Sequence, residues 1–154
     1  MSPALALWRR LSGVPLGKAL FSWIICRKAP YFASIRPRFE EFEPGRARVS
    51  MRKRRAVTNH IGTVHAIAMC NLAELAAGTM TEITIPKTMR WLPKGMTVEY
   101  LKKAETDVEA RAALGEVGEG PAREVPVTVE VKDRGGDIVC RAVITMWVSP
   151  RSRS

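Results

Sequence analysis

Glu74 is the only charged residue between His65 and Thr81. The surrounding residues 64–81 are rich in Ala, Leu and Met and contain no Pro, so they predict a helix that is apolar on nearly every side. We expect such a helix to be buried, and a buried carboxylate is unfavourable unless it is neutralised, paired or hydrated. Carboxylates in that situation cluster at functional sites. The alternative is a structural Glu74 that pairs with an arginine of the sheet or points through a gap to solvent.

A polar loop precedes this helix and brings backbone N–H groups to its start. Residues 59–65 read Asn-His-Ile-Gly-Thr-Val-His, with the flexible Gly62 just ahead of the helix. Free N–H groups there, with the positive end of the helix dipole, suit a developing oxyanion. His65 is either a satisfied histidine near the helix cap or a catalytic group. His60 and His65 are five residues apart and do not share one helix face, so the pair does not favour a metal site.

Residues 59–78, NHIGTVHAIAMCNLAELAAG, resemble the active-site loop and helix of the hotdog-fold acyl-CoA thioesterases of the phenylacetate-pathway type. The pattern of that family is an Asn, a Gly, His-Gly-Gly, and then Leu-Ala-Asp on the helix. The same spacing is found here at Asn59, Gly62, His65, Leu72-Ala73 and Glu74. The resemblance extends over residues 46–148 and is closest to a branch in which His-Ala-Ile replaces His-Gly-Gly.

The resemblance implies an α+β hotdog fold, in which a long central helix is wrapped by a curved antiparallel sheet. It also implies a homodimer or a dimer of dimers, because the family completes its site across two subunits. In that site the backbone N–H of Ala66 would polarise the thioester carbonyl, and Glu74 of the other subunit would act as general base or nucleophile. Asn59 would position substrate or water, and His65 joins the catalytic set. Substrate-binding roles are implied for Gly62, Ile67 and Asn71.

This chain also departs from the family pattern. Ala66 keeps the N–H but adds a methyl group where the acyl group must approach, and Ile67 adds more bulk. Glu74 is one methylene longer than Asp, and Gly78 stands where some relatives have a Thr that orients water. No metal or redox cofactor is implied, since coenzyme A enters only as part of the substrate.

The rest of the chain predicts the elements that must position these groups. Residues 1–35 are expected to form a helical extension and residues 36–150 the hotdog domain. Two strands are predicted before the central helix, at 38–43 and 46–54, and four after it, at 96–102, at 108–114, from residue 125, and at 138–148. Residues 133–137, Asp-Arg-Gly-Gly-Asp, predict the last hairpin turn. Pro126 cannot donate a ladder hydrogen bond, so the strand from residue 125 should start at a sheet edge or a bulge.

The composition is that of one globular domain with a basic surface. The chain has 154 residues, 46% of them hydrophobic, and a formal net charge of +10. Such a surface attracts polyanions, among them phosphate-bearing ligands, nucleic acids and anionic membranes. Arg52, Arg54 and Arg55 are either a solvated face or contacts for the phosphates of coenzyme A. We find no nucleic-acid recognition motif and expect no specific nucleic-acid partner.

The cysteines and the N-terminal segment bear on location. The three cysteines are widely spaced, which argues against a disulfide framework and favours a reducing, cytoplasmic compartment. The longest uncharged run of the N-terminal segment, residues 19–26, is too short to span a bilayer. Leu16, Leu20, Phe21, Trp23 and Ile24 are expected to pack on the sheet as a cap. The alternatives are a lid on the acyl tunnel and peripheral contact with a membrane.

The sequence therefore predicts a thioester hydrolase that acts on an acyl- or aryl-CoA. The main alternative is a non-catalytic hotdog protein that binds acyl-CoA or an acyl carrier protein. A basic nucleic-acid-binding module is a third reading, and it requires a broad positive face away from Glu74.

Overall fold

The computed structural model describes residues 2–152. Three helices and six strands follow one another along the chain, with two short 3-10 segments at Pro30–Ile35 and Arg55–Val57. The helices are α1 (Pro3–Leu11), α2 (Gly17–Lys28) and α3 (Ala66–Thr84). The strands are β1 (Arg38–Glu43), β2 (Arg46–Met51), β3 (Met89–Tyr100), β4 (Val108–Ala113), β5 (Arg123–Asp133) and β6 (Ile138–Pro150).

All six strands form one antiparallel sheet in the order β1-β2-β4-β5-β6-β3. Their buried side chains alternate with outward ones, as in β5, where Val125, Val127, Val129 and Val131 face inward. The long α3 packs against this inner face and contacts all six strands. The expected α+β hotdog architecture is therefore confirmed.

The N-terminal helices are joined to the sheet by aromatic side chains. Phe21 contacts Phe39 of β1 edge-on, with ring centroids 5.2 Å apart, and Phe42 of β1 at a tilt, at 5.4 Å. Trp8 contacts Phe42 edge-on at 6.1 Å. The backbone N–H of Phe39 donates to the hydroxyl of Ser22 on α2 (2.9 Å). α1 and α2 thus act as a structural cap on β1 through Trp8 and Phe21. The expectation that Leu16, Leu20 and Trp23 also pack on the sheet is wrong, because these three side chains are exposed.

The largest differences from the predicted boundaries concern the end of β2, the end of α3 and the start of β3. β2 ends at Met51 because the backbone N–H of Lys53 donates to the Asp107 carboxylate (2.8 Å) instead of continuing the ladder. α3 continues to Thr84, beyond the predicted residue 81. β3 begins at Met89, well before residue 96, because an edge strand tolerates Pro93, which lies at a break in register.

Pro126, which has no backbone N–H to donate, lies in a part of β5 that is paired on one side only. Within the described residues β4 pairs only with residues 128–133 of β5, so at Pro126 only β6 lies alongside. The predicted sheet edge at this proline is confirmed.

Candidate active site

Asn59 organises the loop before α3. Its side-chain oxygen accepts the backbone N–H groups of Ile61 (3.1 Å) and Thr63 (3.0 Å), and its amide nitrogen donates to the Thr63 hydroxyl (2.7 Å). Gly62 takes φ +80°, which closes the turn and favours glycine. The amide of Asn59 is thus engaged with its own loop, and any effect of Asn59 on a substrate would act through that loop.

The N-terminus of α3 presents a free hydrogen-bond donor. His65 is the N-cap, and its Nδ1 accepts the backbone N–H of Ile67 (3.0 Å), so a neutral ring carries its proton on Nε2. Ala66 is the first helical residue, and its N–H has no intrahelical acceptor. Within residues 2–152 no other acceptor for it is recorded. This half-exposed N–H, at the positive end of a 19-residue helix, could stabilise an oxyanion.

Glu74 lies on the one open side of α3. Its neighbours Leu72, Ala73, Leu75 and Ala76 are fully buried against the sheet, whereas Glu74 is exposed. No ion pair or hydrogen bond of its carboxylate is recorded among the described residues. The expectation that Glu74 is buried is therefore wrong for a single chain. Of the two structural alternatives, exposure to solvent is seen, and an ion pair with an arginine of the sheet is not seen among the described residues.

β3 crosses the helix face that carries Glu74. Cys70, Glu74, Gly78 and Glu82 are four residues apart and share one face of α3. At one end the Tyr100 hydroxyl lies 3.3 Å from the Cys70 sulfur. At the other end of this face, Gly78 and Glu82 contact Trp91 of β3. Glu74 lies between the Tyr100 contact and the Trp91 contact, opposite the middle of β3.

The contact at that other end is tight. The indole N–H of Trp91 donates to the Glu82 carboxylate (2.8 Å), and the ring covers Gly78. A Cβ at residue 78 would lie 2.8 Å from the Trp91 ring, so Gly78 leaves room for the indole and for no side chain of its own. The sequence analysis did not identify Trp91 or Tyr100 as site residues. Both lie on β3 and contact α3 only because the fold brings these two elements together.

The Tyr100 phenol and the Cys140 thiol near this face are neutral at physiological pH. The hydrogen bond with Cys70, together with partial burial, raises the pKa of Tyr100 to about 12. Burial raises the pKa of the Cys140 thiol to about 11. Neither group supplies a nucleophilic anion near pH 7. Of the two carboxylates on this face, Glu82 accepts the Trp91 N–H, whereas Glu74 has no partner among the described residues.

Ala66 and Glu74 cannot both reach one carbonyl within a single chain. They are eight residues apart on α3, which corresponds to roughly 12 Å along the helix axis. A glutamate side chain bridges less than half of that distance. Three grooves of the described residues, with volumes of about 290, 620 and 430 Å³, are lined by other residues and do not join the two groups. The Ala66 N–H and the Glu74 carboxylate of one chain are therefore separate, and they are called the two half-sites below.

Two of the three predicted phosphate contacts are exposed. The His65 N–H donates to the Val57 carbonyl (2.8 Å), so the 3-10 segment that begins at Arg55 contacts the start of α3. Arg52 and Arg55 are exposed, whereas the Arg54 guanidinium donates to the Ser34 carbonyl. Phosphate binding by Arg52, Arg54 and Arg55 stays a prediction.

The two remaining predicted contacts are placed differently. Ile67 is exposed (56%) beside the Ala66 N–H, where a substrate could reach it. Asn71 is buried under the 3-10 segment Pro30–Ile35, with its amide nitrogen 3.4 Å from the Ser34 hydroxyl and its oxygen lacking a donor. A direct substrate contact by Asn71 stays a prediction.

The outer face of the sheet carries charges of both signs. One row runs across all six strands in register: Glu41, Arg48, Arg111, Glu130, Arg141 and Glu99. Arg48 pairs with Glu41 and Glu109, and Arg141 with Glu99. This face is mixed rather than broadly positive, which does not favour nucleic-acid binding there.

Known structures share this fold. The chain is 47% identical to the structural-genomics protein APC5556, with a TM-score of 0.83 over 96% of this chain and 98% of that one. It is 24% identical to PA5026 from Pseudomonas aeruginosa, a probable thioesterase of unknown function (TM-score 0.76, 90% and 97% covered). It is 13% identical to the thioesterase HI1161 from Haemophilus influenzae (TM-score 0.72, 82% and 87% covered).

No curated protein matches the chain. Within residues 2–152 no helix has the length and apolar character needed to cross a bilayer. Residues 17–148 match the family described as Domain of unknown function (DUF4442), which covers α2, α3 and nearly all of the sheet. The chain thus belongs to the DUF4442 family, and its fold is that of the hotdog thioesterases.

Proposed function

We propose that this protein is a homodimeric acyl-CoA thioesterase whose active site combines the Ala66 N–H of one copy with Glu74 of the other. The observation that carries the proposal is the pair of half-sites on α3. One is a free N–H donor at a helix N-terminus, and the other is an unpaired carboxylate on the open helix face. Acyl transfer needs both a donor for the oxyanion and a base or nucleophile.

The free edge of β3 supports the proposed dimer. This 12-residue strand ends the sheet, so within residues 2–152 one row of its N–H and C=O groups has no partner strand. Leu92, Met96, Tyr100 and the adjacent Leu101 are all exposed on or beside it. Pairing of two β3 edges about a two-fold axis would satisfy the ladder and bury these side chains.

A two-fold axis can also bring the half-sites together. Two copies of α3 that lie side by side about a two-fold axis perpendicular to the helix are antiparallel. Residue 74 of one is level with residue 66 of the other when the axis passes at the level of residue 70. Such an axis would complete two sites at once.

The chemistry requires few groups. The thioester carbonyl oxygen would accept the Ala66 N–H. As general base, Glu74 of the second copy would take a proton from the attacking water and pass it to the leaving coenzyme A thiolate. As nucleophile, Glu74 would displace the thiolate, which takes a proton from water, and a second water would then hydrolyse the acyl-glutamate anhydride and regenerate the carboxylate. The exposed Arg52 and Arg55 would bind the coenzyme A phosphates. The relation to the phenylacetate-pathway branch rests on the motif at residues 59–74.

The test is hydrolysis of a panel of acyl- and aryl-CoA thioesters by the wild type and by Glu74→Gln. Removal of a general base lowers turnover by roughly 100- to 10,000-fold. Since Glu74 is exposed and unpaired, the melting temperature should not change, and Glu74→Asp should be milder than Glu74→Gln. Undiminished hydrolysis by a folded Glu74→Gln protein would refute the assignment. Binding of acyl-CoA without hydrolysis by the wild type would instead indicate a carrier or sensor.

A further inference from the structure

The N-terminal helical pair exposes a row of apolar side chains that the sheet does not cover. Leu16, Leu20 and Trp23 are spaced to share one face of α2, and they are 85%, 47% and 57% exposed. Val14, in the turn before α2, is 50% exposed. These four residues are called the α2 stripe below. They lie opposite the buried Phe21, so the cap function of α2 does not account for them.

The backbone at the start of the stripe is unfavourable for the residue it carries. Leu16 has φ +60°, in the left-handed region that disfavours large side chains, and forms no side-chain cap for α2. The next residue must be a glycine, since a Cβ at Gly17 would lie 1.8 Å from the Leu11 carbonyl oxygen. A glycine or asparagine would fit residue 16 with less strain. A strained leucine that gains no burial within its own chain indicates burial against something outside it.

The charge around the stripe indicates what that partner is. Residues 1–39 contain seven Lys and Arg and no Asp or Glu. Three of the seven, Arg9, Lys18 and Arg38, pair with Glu40 or Glu43 of β1. The last turn of α2 carries Arg27 and Lys28, and the Arg27 guanidinium lies 5.2 Å from the centre of the Trp23 ring. No carboxylate of the described residues lies within ion-pair distance of Arg27 or Lys28. The partner should therefore have an anionic surface for Arg27 and Lys28 and an apolar layer below that surface for the α2 stripe.

We propose that the α2 stripe docks this protein on the surface of an anionic phospholipid bilayer. The apolar side chains would enter the boundary between headgroups and acyl chains, where tryptophan is favoured, while Arg27 and Lys28 contact lipid phosphates. A second copy of the chain fits less well, because a two-fold contact would set one basic patch against its identical mate. This surface is separate from the two half-sites on α3.

The experiment is cosedimentation of the full chain with vesicles of phosphatidylcholine alone or with roughly 30% phosphatidylserine. The wild type should sediment with the anionic vesicles, less so at high salt, and not with neutral ones. Leu20→Ser/Trp23→Ser and, separately, Arg27→Gln/Lys28→Gln should each lower the partition coefficient by about 10-fold or more. Trp147→Ser is the matched control. Trp147 is also an exposed tryptophan under a cation, Lys94 at 5.4 Å, but it lies on β6, and its loss should leave binding unchanged.

The proposal is overturned if the wild type stays in the supernatant, or if both double variants sediment as it does. It is also overturned if light scattering shows that Leu20→Ser/Trp23→Ser lowers the molecular mass, because the stripe would then be a contact between copies. If that variant proves unfolded, the Arg27→Gln/Lys28→Gln protein decides, since it leaves the apolar packing intact. Hydrolysis of soluble short-chain acyl-CoA thioesters by this protein is measured separately. A negative result in vesicle binding therefore does not bear on the proposed activity.

Discussion

Ala66→Pro removes one hydrogen atom that the proposed mechanism requires. Proline lacks a backbone N–H, and the first position of a helix is where it is best tolerated. α1 of this protein already begins with Pro3. His65 has φ −65° and ψ 136°, the extended region that a residue before proline prefers. The substitution should therefore delete the proposed oxyanion donor and leave α3 in place.

The expected effect follows from what the N–H does in the fold. It has no acceptor in the described chain, so its loss should change the free energy of unfolding by less than about 0.5 kcal/mol. Loss of one oxyanion donor lowers kcat by roughly 100- to 1,000-fold, or about 3–4 kcal/mol of transition-state stabilisation. Ala66→Gly is the matched control, since it keeps the N–H and removes the methyl group beside the substrate. It should retain hydrolysis.

The assay is release of coenzyme A from the best substrate of the panel, with thermal unfolding measured on the same samples. A folded Ala66→Pro protein that hydrolyses at the wild-type rate would refute the role of the N–H.

Mixing Ala66→Pro with Glu74→Gln then tests whether the site is shared. If subunits assort at random, half of the dimers are hybrids with one intact site, so about a quarter of wild-type activity should return. Hybrid dimers that form but remain inactive would show that both groups act within one chain, contrary to the 12 Å argument.

The other predictions concern the contacts around the site. Gly78→Ala should destabilise the fold by about 1–3 kcal/mol in denaturant unfolding, because its Cβ would meet the indole of Trp91, and Trp91→Ala should relieve that cost. Leu92→Glu/Leu101→Glu should give a folded, inactive monomer in light scattering, because charges on a free edge oppose pairing; an active monomer would contradict the shared site. Alkaline absorbance titration should show a phenol with a pKa of about 12 that Tyr100→Phe lacks. Because the folded-state pKa is above the ordinary value of 10.0, this group loses its stabilising effect as pH rises from about 10 to about 12.

The sequence predicted the elements whose residues repeat with a clear period. β2 and β5 alternate, and α3 is a long run of helix formers, so their existence and order were correct. The start of β3 was missed because Pro93 and Gly95 look like a loop until the strand is known to lie at the sheet edge. Residue types indicate local conformation, whereas the position of a strand in a sheet is a property of the whole chain.

The candidate site shows the same division. Glu74 was singled out as the lone charge of an apolar helix, and the roles of the other site residues were implied by the resemblance to the thioesterase family. The loop and the helix cap form where they were expected. The exposure of Glu74 could not be predicted, because an apolar helix does not reveal which side the sheet leaves open. Trp91 and Tyr100 were missed because they meet α3 through contacts between residues distant in sequence.

The packing of Trp91 on Gly78 also limits how this protein can have diverged. A side chain at residue 78 does not fit while the Trp91 indole lies against that position. A Ser or Thr at residue 78 therefore requires that Trp91 is first replaced by a smaller residue. The reverse order passes through a destabilised intermediate. Substitutions at the two positions should therefore be inherited as a pair, and an alignment of DUF4442 sequences should show small residues at 78 wherever 91 is large. Residues 78 and 91 should therefore covary in evolution, although they lie on different secondary-structure elements.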